Sequence, residues 1–512
     1  MLDRAQGADR TEARNGSDPR PGLAAPLSED RVRFRTLIPG RGLPKEATMS
    51  DIEAVLAEID ANLDRSTAKL LKLMSIPSIS SEPAGAPGIM EAAVWLEREL
   101  ATLGFDARVM TTAGHPLVLA HSAGAAEEAG PRLLFYGHYD VQPVGDRAQW
   151  SRPPFEPEMV EEDGLHRIYG RGASDSKSQL WSLIEALRAW RTVKGQFPGR
   201  ITVLLEGEEE SGSASLPAFI EANAEALRCD VAFICDSDMW SPTEPAVTTQ
   251  LKGLLHEKVT IFVPNPDLHS GYFGAVTANP IRILSGILAS LHDDDGRVTI
   301  PGFYDGVRDI PEDLREQWRH LSEDAHILES ADLRGGVIEK GYAPLEAIWG
   351  RPTLDMNGIT GGNQGPGERS VLPGSASARL SFRLVDGQDP VSVREAFRRF
   401  VVSRVPSGCR AMFEGSEGSG AVVMSPDNPF VQAVRRGQEA EWRKPTILKG
   451  SGGAVPLAQL FKDVLGVDCI VIGFILADDA IHAPDERYDI ERLHKGIRSW
   501  ARILEEIETM PR

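Results

Sequence analysis

The residues able to do chemistry in this chain sit where apolar runs end. Leu133 to Asp140 reads L-L-F-Y-G-H-Y-D, a hydrophobic strand that empties into Gly137, His138 and Asp140. Open α/β sheets hold their ligand sites beyond the carboxyl ends of strands. Residues two apart in a strand share a face. His138 and Asp140 therefore suit a metal-binding imidazole and the carboxylate that orients it. They suit equally a buried histidine satisfied by its neighbour.

Other clusters repeat the pattern. Asp175 lies in Y-G-R-G-A-S-D-S-K just before a helix. Alone it reads as an N-cap, but Gly170 and Gly172 allow close backbone approach, and its two oxygens could bridge two cations. Glu206 to Ser213, E-G-E-E-E-S-G-S, follows the apolar run Ile201 to Leu205. So many carboxylates at a strand end resist common ionisation unless cations are near. Adjacent glutamates allow one to bind a metal and the other to act as general base toward an activated water. Asp236 and Asp238 lie in I-C-D-S-D-M, and His482 in D-D-A-I-H-A-P-D-E-R-Y. This mixture of nitrogen and oxygen donors fits borderline-soft cations. The residues alone do not choose between Asp236 and Asp238, nor among zinc, manganese and cobalt.

These clusters need elements to carry them. Between Asp51 and about Thr249, strand and helix patterns alternate, as in a doubly wound α/β sheet. Helical periodicity covers Ser66 to Met74, Met90 to Leu103, Ser178 to Val193 and Ala214 to Leu227. An earlier helix opens at Asp51, which reads as its cap. Strands fall near Leu117 to His121, Arg132 to Tyr136, Ile201 to Leu205 and Val231 to Cys235. From Leu251 to Val423 the texture changes. Strands near Glu257, Ala376 and Arg410 and helices from Pro280 and Ser392 surround a loop-rich stretch, which suggests a small α+β domain. Pro429 to Trp442, Leu457 to Phe461, Asp468 to Phe474 and Ile490 to Ile507 return to the first texture. The expected boundaries are 1–48 for a disordered extension, 49–250 and 424–512 for a discontinuous catalytic domain, and 251–423 for an inserted domain. Met49 offers an alternative start. No internal repeats are found.

Bulk composition sets limits. The chain has 512 residues, 41% hydrophobic and 25% charged, which is ordinary for a globular protein of two domains. A formal charge of -20 argues against nucleic acid or an anionic membrane as partner. Cys229, Cys235, Cys409 and Cys469 lack paired spacing and read as reduced thiols in a cytoplasmic protein. No apolar run approaches the ~18 residues of a spanning helix, and no secretory signal is evident.

Together G-H-Y-D-V-Q-P, Y-G-R-G-A-S-D-S-K, E-G-E-E-E-S-G-S, D-L-H-S-G and D-D-A-I-H-A-P-D-E resemble the motifs of the M20 metallopeptidases, from about Asp51 to the end. The resemblance implies two divalent metals, zinc first, with His138 and Asp238 on one, Glu210 and His482 on the other, and Asp175 bridging. It implies Asp140 as the orienter of His138 and Glu209 as general base. The inserted segment would be a lid and dimerisation domain. Its His269 would reach a partner's active site to stabilise an oxyanion. Asn279, Ser370 and Arg383 would hold the substrate's carboxylate and carbonyl, with Gly453 also at the substrate. The implied reaction is hydrolysis of an amide in a dipeptide or similar small substrate with a free carboxylate.

One departure stands out. Dipeptidase relatives often show R-E-G-G-S-I-P where this chain has G-S-G-G-A-V-P from Gly450. Ser451 replaces the acid that would meet a free amino terminus and Ala454 replaces a serine, which leaves room for N-acyl or N-carbamoyl substrates. The competing readings are a metal-stabilised protein without catalysis, against which the paired glutamates argue, and a serine hydrolase, for which no G-x-S-x-G elbow is present.

Overall fold

The computed structural model describes residues 50–124, 130–323, 338–453 and 456–510. The expected extension at 1–48, and Ala454, lie outside the described residues.

Parallel strands buried on both faces need near-continuous apolar sequence, and four such runs form the middle of a nine-stranded mixed sheet. Arg200–Glu206, Arg132–His138, Val231–Ile234 and Cys469–Ile472 lie side by side in that order, all parallel. Their carboxyl ends therefore share one edge. Phe105–Met110 and Leu117–Ser122 extend the sheet antiparallel on one side. Ala246–Leu251, Val422–Val423 and Ile447–Ser451 extend it on the other. The helix Lys177–Lys194 is buried along most of its length, beneath Asp51–Ala61, Leu63–Met74 and Ile490–Glu508.

The chain leaves this sheet after Leu251 and builds a second one. Four antiparallel strands, Thr353–Gly361, Ser375–Leu384, Gly253–Phe262 and Arg410–Gly415, carry the helices Pro280–Ala289 and Pro390–Val402 over their own apolar core. The expected fold class, a doubly wound mixed sheet with an inserted smaller α+β domain, is thus the observed one.

Some elements differ from expectation. Ser50, not Asp51, caps the first helix, in a reciprocal capping box with Glu53. The helix expected over 214–227 shrinks to Leu216–Ala222, because Pro217 suits only a first turn and Asn223 closes the last. The stretch expected as loop contains the helix Glu312–Glu323 and the edge strand Thr353–Gly361. Leu314, Trp318, Leu345 and Trp349 from this stretch join the core of the large sheet, not that of the inserted one. No helix among the described residues is long and apolar enough to cross a membrane.

Candidate metal centre and active site

The site lies at the shared edge. His138 ends its strand fully buried, with Nδ1 3.1 Å from the Asp140 carbonyl and 3.4 Å from the Asp140 carboxylate. That pairing aims Nε2 at Asp175 Oδ1, 3.2 Å away, and Asp236 Oδ2, 3.6 Å away. Asp140 has a second task. Its two oxygens accept the backbone N–H groups of Glu209, at 3.2 Å, and Glu210, at 3.0 Å. One buried carboxylate thus fixes both the imidazole and the glutamate pair.

A small three-stranded sheet brings the last histidine in. Leu165–Tyr169 leads into the Gly170 to Asp175 loop, and Arg487–Asp489 follows the His482 loop. The two strands pair antiparallel, Arg487 opposite Tyr169. His482, at φ 60°, then places Nε2 2.8 Å from Asp175 Oδ2 and 3.3 Å from Glu210 Oε1. Gln142 Nε2 donates to the other Glu210 oxygen at 2.8 Å. The Asp175–Ser176 peptide is cis.

Two groups of potential metal ligands result. His138, Asp175 and Asp236 form one, and Asp175, Glu210 and His482 the other, with ligand atoms inside each within 4.8 Å of one another. Asp175 belongs to both. The donor set fits a pair of divalent cations: imidazole and carboxylate only, with Glu210 Oε1 buried and accepting no hydrogen bond.

The choice of Asp238 over Asp236 is corrected. Asp236 follows the strand end closely and faces His138. Asp238 lies further on, beside Ile475, where its half-exposed carboxylate is taken by the buried Lys449 ammonium.

Crowding shapes the charges. Burial opposes a proton on His138, but the hydrogen bonds of Asp140, Asp175 and Asp236 outweigh it and raise its pKa. The bond to the Asp175 carboxylate, with the nearby Glu210 carboxylate adding to it, lifts His482 to about 10 despite partial burial. Burial alone would raise Asp175, but the bonds to both imidazoles outweigh it and hold its carboxyl below the usual range. Burial raises Glu209 to about 7, with Asp236, Glu210 and Asp140 adding to the rise. A carboxyl poised there is suited to proton transfer.

The sequence pattern gave no sign of what several supporting residues hold. Glu486 grips the Asp175 loop through three backbone N–H groups and Arg171. Gln317 and Trp318 close the outer edge of Ile447–Ser451. Gln317 Oε1 accepts Leu448 N–H at 3.2 Å and Trp318 Nε1 donates to Leu448 O at 2.8 Å. That strand leads into the glycine-rich loop, where Trp349 packs so closely that a Cβ on Gly450 would lie 2.5 Å from it.

The remaining expected residues stand outside both ligand groups. His269 is exposed, accepts Gly271 N–H at 3.1 Å and packs its ring, tilted, against that of Tyr272. Asn279 caps Pro280–Ala289, and the Ser370 carbonyl accepts Ser270 N–H at 2.8 Å. Arg383 is half-buried on the second sheet, opposite Thr353 and Leu254. Gly453 is exposed and donates its N–H to Ser451 Oγ at 3.1 Å.

A mixed sheet with an inserted smaller domain, and a histidine and carboxylate cluster at its carboxyl edge, define a metal-dependent hydrolase. The model of peptidase family M20/M25/M40 matches residues 134–506, and the chain belongs to that family. It is similar to the cysteinylglycine-S-conjugate dipeptidase of Corynebacterium striatum, 31% identical over 84% of this chain and 92% of that one. It is also similar to the Cys-Gly metallodipeptidase of Schizosaccharomyces pombe, 26% identical over 88% and 97%. Among solved structures, the M20 family metallo-carboxypeptidase Sso-CP2 of Sulfolobus solfataricus superposes with a TM-score of 0.70 at 29% identity, over 87% of this chain and 100% of that one.

Proposed function

We propose that this protein hydrolyses the amide bond of dipeptides, or of related small substrates with a free carboxylate, with Glu209 as general base. The observation that carries the reading is Asp175 shared between two ligand groups while Glu209, poised near neutrality, stands beside them. His138, Asp175 and Asp236 would hold one divalent cation, and Asp175, Glu210 and His482 the other. When bound, such a pair supplies Lewis acidity toward water and carbonyl oxygen.

Glu209 takes a proton from the attacking water and delivers it to the leaving amine. Asp140 keeps the Glu209 and Glu210 backbone and the His138 ring in register, so neither base nor ligands need rearrange during turnover. Lid closure over the substrate would exclude water. The named substrates of two relatives, dipeptides of cysteinylglycine type, favour the dipeptide reading. Ser451 in place of an acid keeps N-acyl and N-carbamoyl amino acids in contention.

We also infer a homodimer formed through the lid. Thr353–Gly361 is an edge strand with Met356 and Ile359 exposed, and Tyr272 and Val276 are exposed near the His269 turn. Such an edge is a template for pairing. His269, Asn279 and Ser370 would then serve the site of a second copy, while Arg383 clamps the substrate carboxylate. Reduced cysteines suit a cytoplasmic location.

The test is a panel of dipeptides and N-acyl amino acids, assayed on chelated protein with zinc, manganese or cobalt restored. Metal-dependent release of an amino acid from at least one member is expected. Hydrolysis undiminished by thorough chelation would overturn the reading.

A further inference from the structure

A cavity of about 1050 Å³ opens beside the ligand groups, with Glu209 and Asp236 in its wall. It lies between the two layers of the molecule. The large sheet contributes Ile234, the helix Leu216–Ala222 contributes Leu216 and Pro217, and the helix Pro456–Leu465 contributes Leu457 and Leu460. The opposite wall comes from the inserted domain, where Val391 stands at the start of Pro390–Val402.

Its charges are disposed unevenly. The Arg394 guanidinium is engaged by Glu257 and by the Ser416 carbonyl, so it offers little to a ligand anion. Asp389, Glu417 and Asp463 are exposed where they line the cavity. The acidic exposed walls disfavour an anionic group, and the apolar floor itself suits an apolar one.

The volume decides how large. Pockets of ~300 to 1,000 Å³ enclose drug-sized ligands. The side chains of a glycine- or alanine-containing dipeptide would leave most of this wall in contact with water, and wall left wet contributes nothing to binding. We propose that the cavity is a specificity subsite that takes a bulky apolar side chain or acyl group next to the scissile amide. This rests on the amide hydrolase reading and deepens it. Because Glu209 lines both the cavity and the ligand groups, a substituent seated there is anchored next to the reacting carbonyl. Its binding energy can then appear in the transition state.

The experiment uses full-length, metal-loaded protein and three substrate series, X-Gly, Gly-X and N-acylglycine, with the variable group growing from hydrogen or methyl to leucine, phenylalanine and tryptophan size. In at least one series kcat/KM should rise about tenfold or more with apolar size, since each methylene seated in an apolar pocket is worth roughly that factor. Val391→Asp and Leu457→Asp should each bring the ratio of large to small substrate back toward one. Val391 is 56% exposed, so its replacement leaves the cores intact even if Leu457→Asp fails to fold. Hydrolysis indifferent to size, or an unchanged ratio in Val391→Asp, would overturn the subsite while sparing the hydrolase. No hydrolysis in any series would remove both.

Discussion

Glu486 Oε1 accepts the backbone N–H of Asp175 at 3.0 Å, across 311 residues of chain. The same carboxylate receives Gly172 and Ser174 N–H groups and pairs with Arg171 at 2.8 Å, fully buried. The aspartate shared by both ligand groups is therefore held from the far end of the sequence. Removing one partner of a buried ion pair leaves the other uncompensated, at about 3–5 kcal/mol. Glu486→Ala should lose stability on that scale in urea unfolding. A loss below about 1 kcal/mol would show that water or a neighbour replaces it.

Glu209 should reveal itself in the pH profile. Burial lifts its pKa to about 7. Only the ionised form can accept a proton, so kcat/KM should rise with pH through one ionisation at or below that value, since bound cations favour the carboxylate, and then level off. Glu209→Gln should lower kcat by about 100-fold or more while metal content is kept. Near-normal turnover in that variant would exclude it as the base.

Asp236 and Asp238 should behave differently despite their proximity in sequence. Asp236→Ala removes a ligand from the group containing His138, and the protein should lose one bound metal equivalent and most of its activity. Asp238→Ala releases the ion pair with Lys449 and a bond from the Ser237 hydroxyl, and should retain full metal content by elemental analysis. Metal loss in the second and not the first would reverse the assignment.

Trp318 can be tested apart from the metal. Its indole N–H holds Leu448 O at 2.8 Å inside the core. Trp318→Phe leaves that carbonyl without its partner, and a stability loss of about 1–3 kcal/mol is expected on thermal or urea unfolding. No measurable change would mean the strand edge finds another donor.

The oligomer is tested at Ile359, 57% exposed on the edge strand. Ile359→Lys should halve the mass seen by light scattering, because a charge on such an edge discourages strand pairing. An unaltered dimer would move the interface elsewhere.

The residues themselves determined which parts of this protein carry chemistry. Apolar runs ending in His138, Glu206 to Glu210 and Asp236 marked parallel strands and their common edge, because a strand buried on both faces must read as continuous hydrophobic sequence. Asp175 and His482 were visible through their glycine-rich and acidic surroundings. The choice between Asp236 and Asp238 was different in kind. Both are aspartates just beyond one strand end, and only the path of the chain past Ile475 sends Asp238 to Lys449 and leaves Asp236 facing His138. Gln317 and Trp318 were invisible for the same reason, and Glu486, though it closes the motif around His482, gave no sign of what it holds. Their partners are backbone groups 130 to 314 residues away, and local pattern holds no record of contacts that exist only after the sheet has closed.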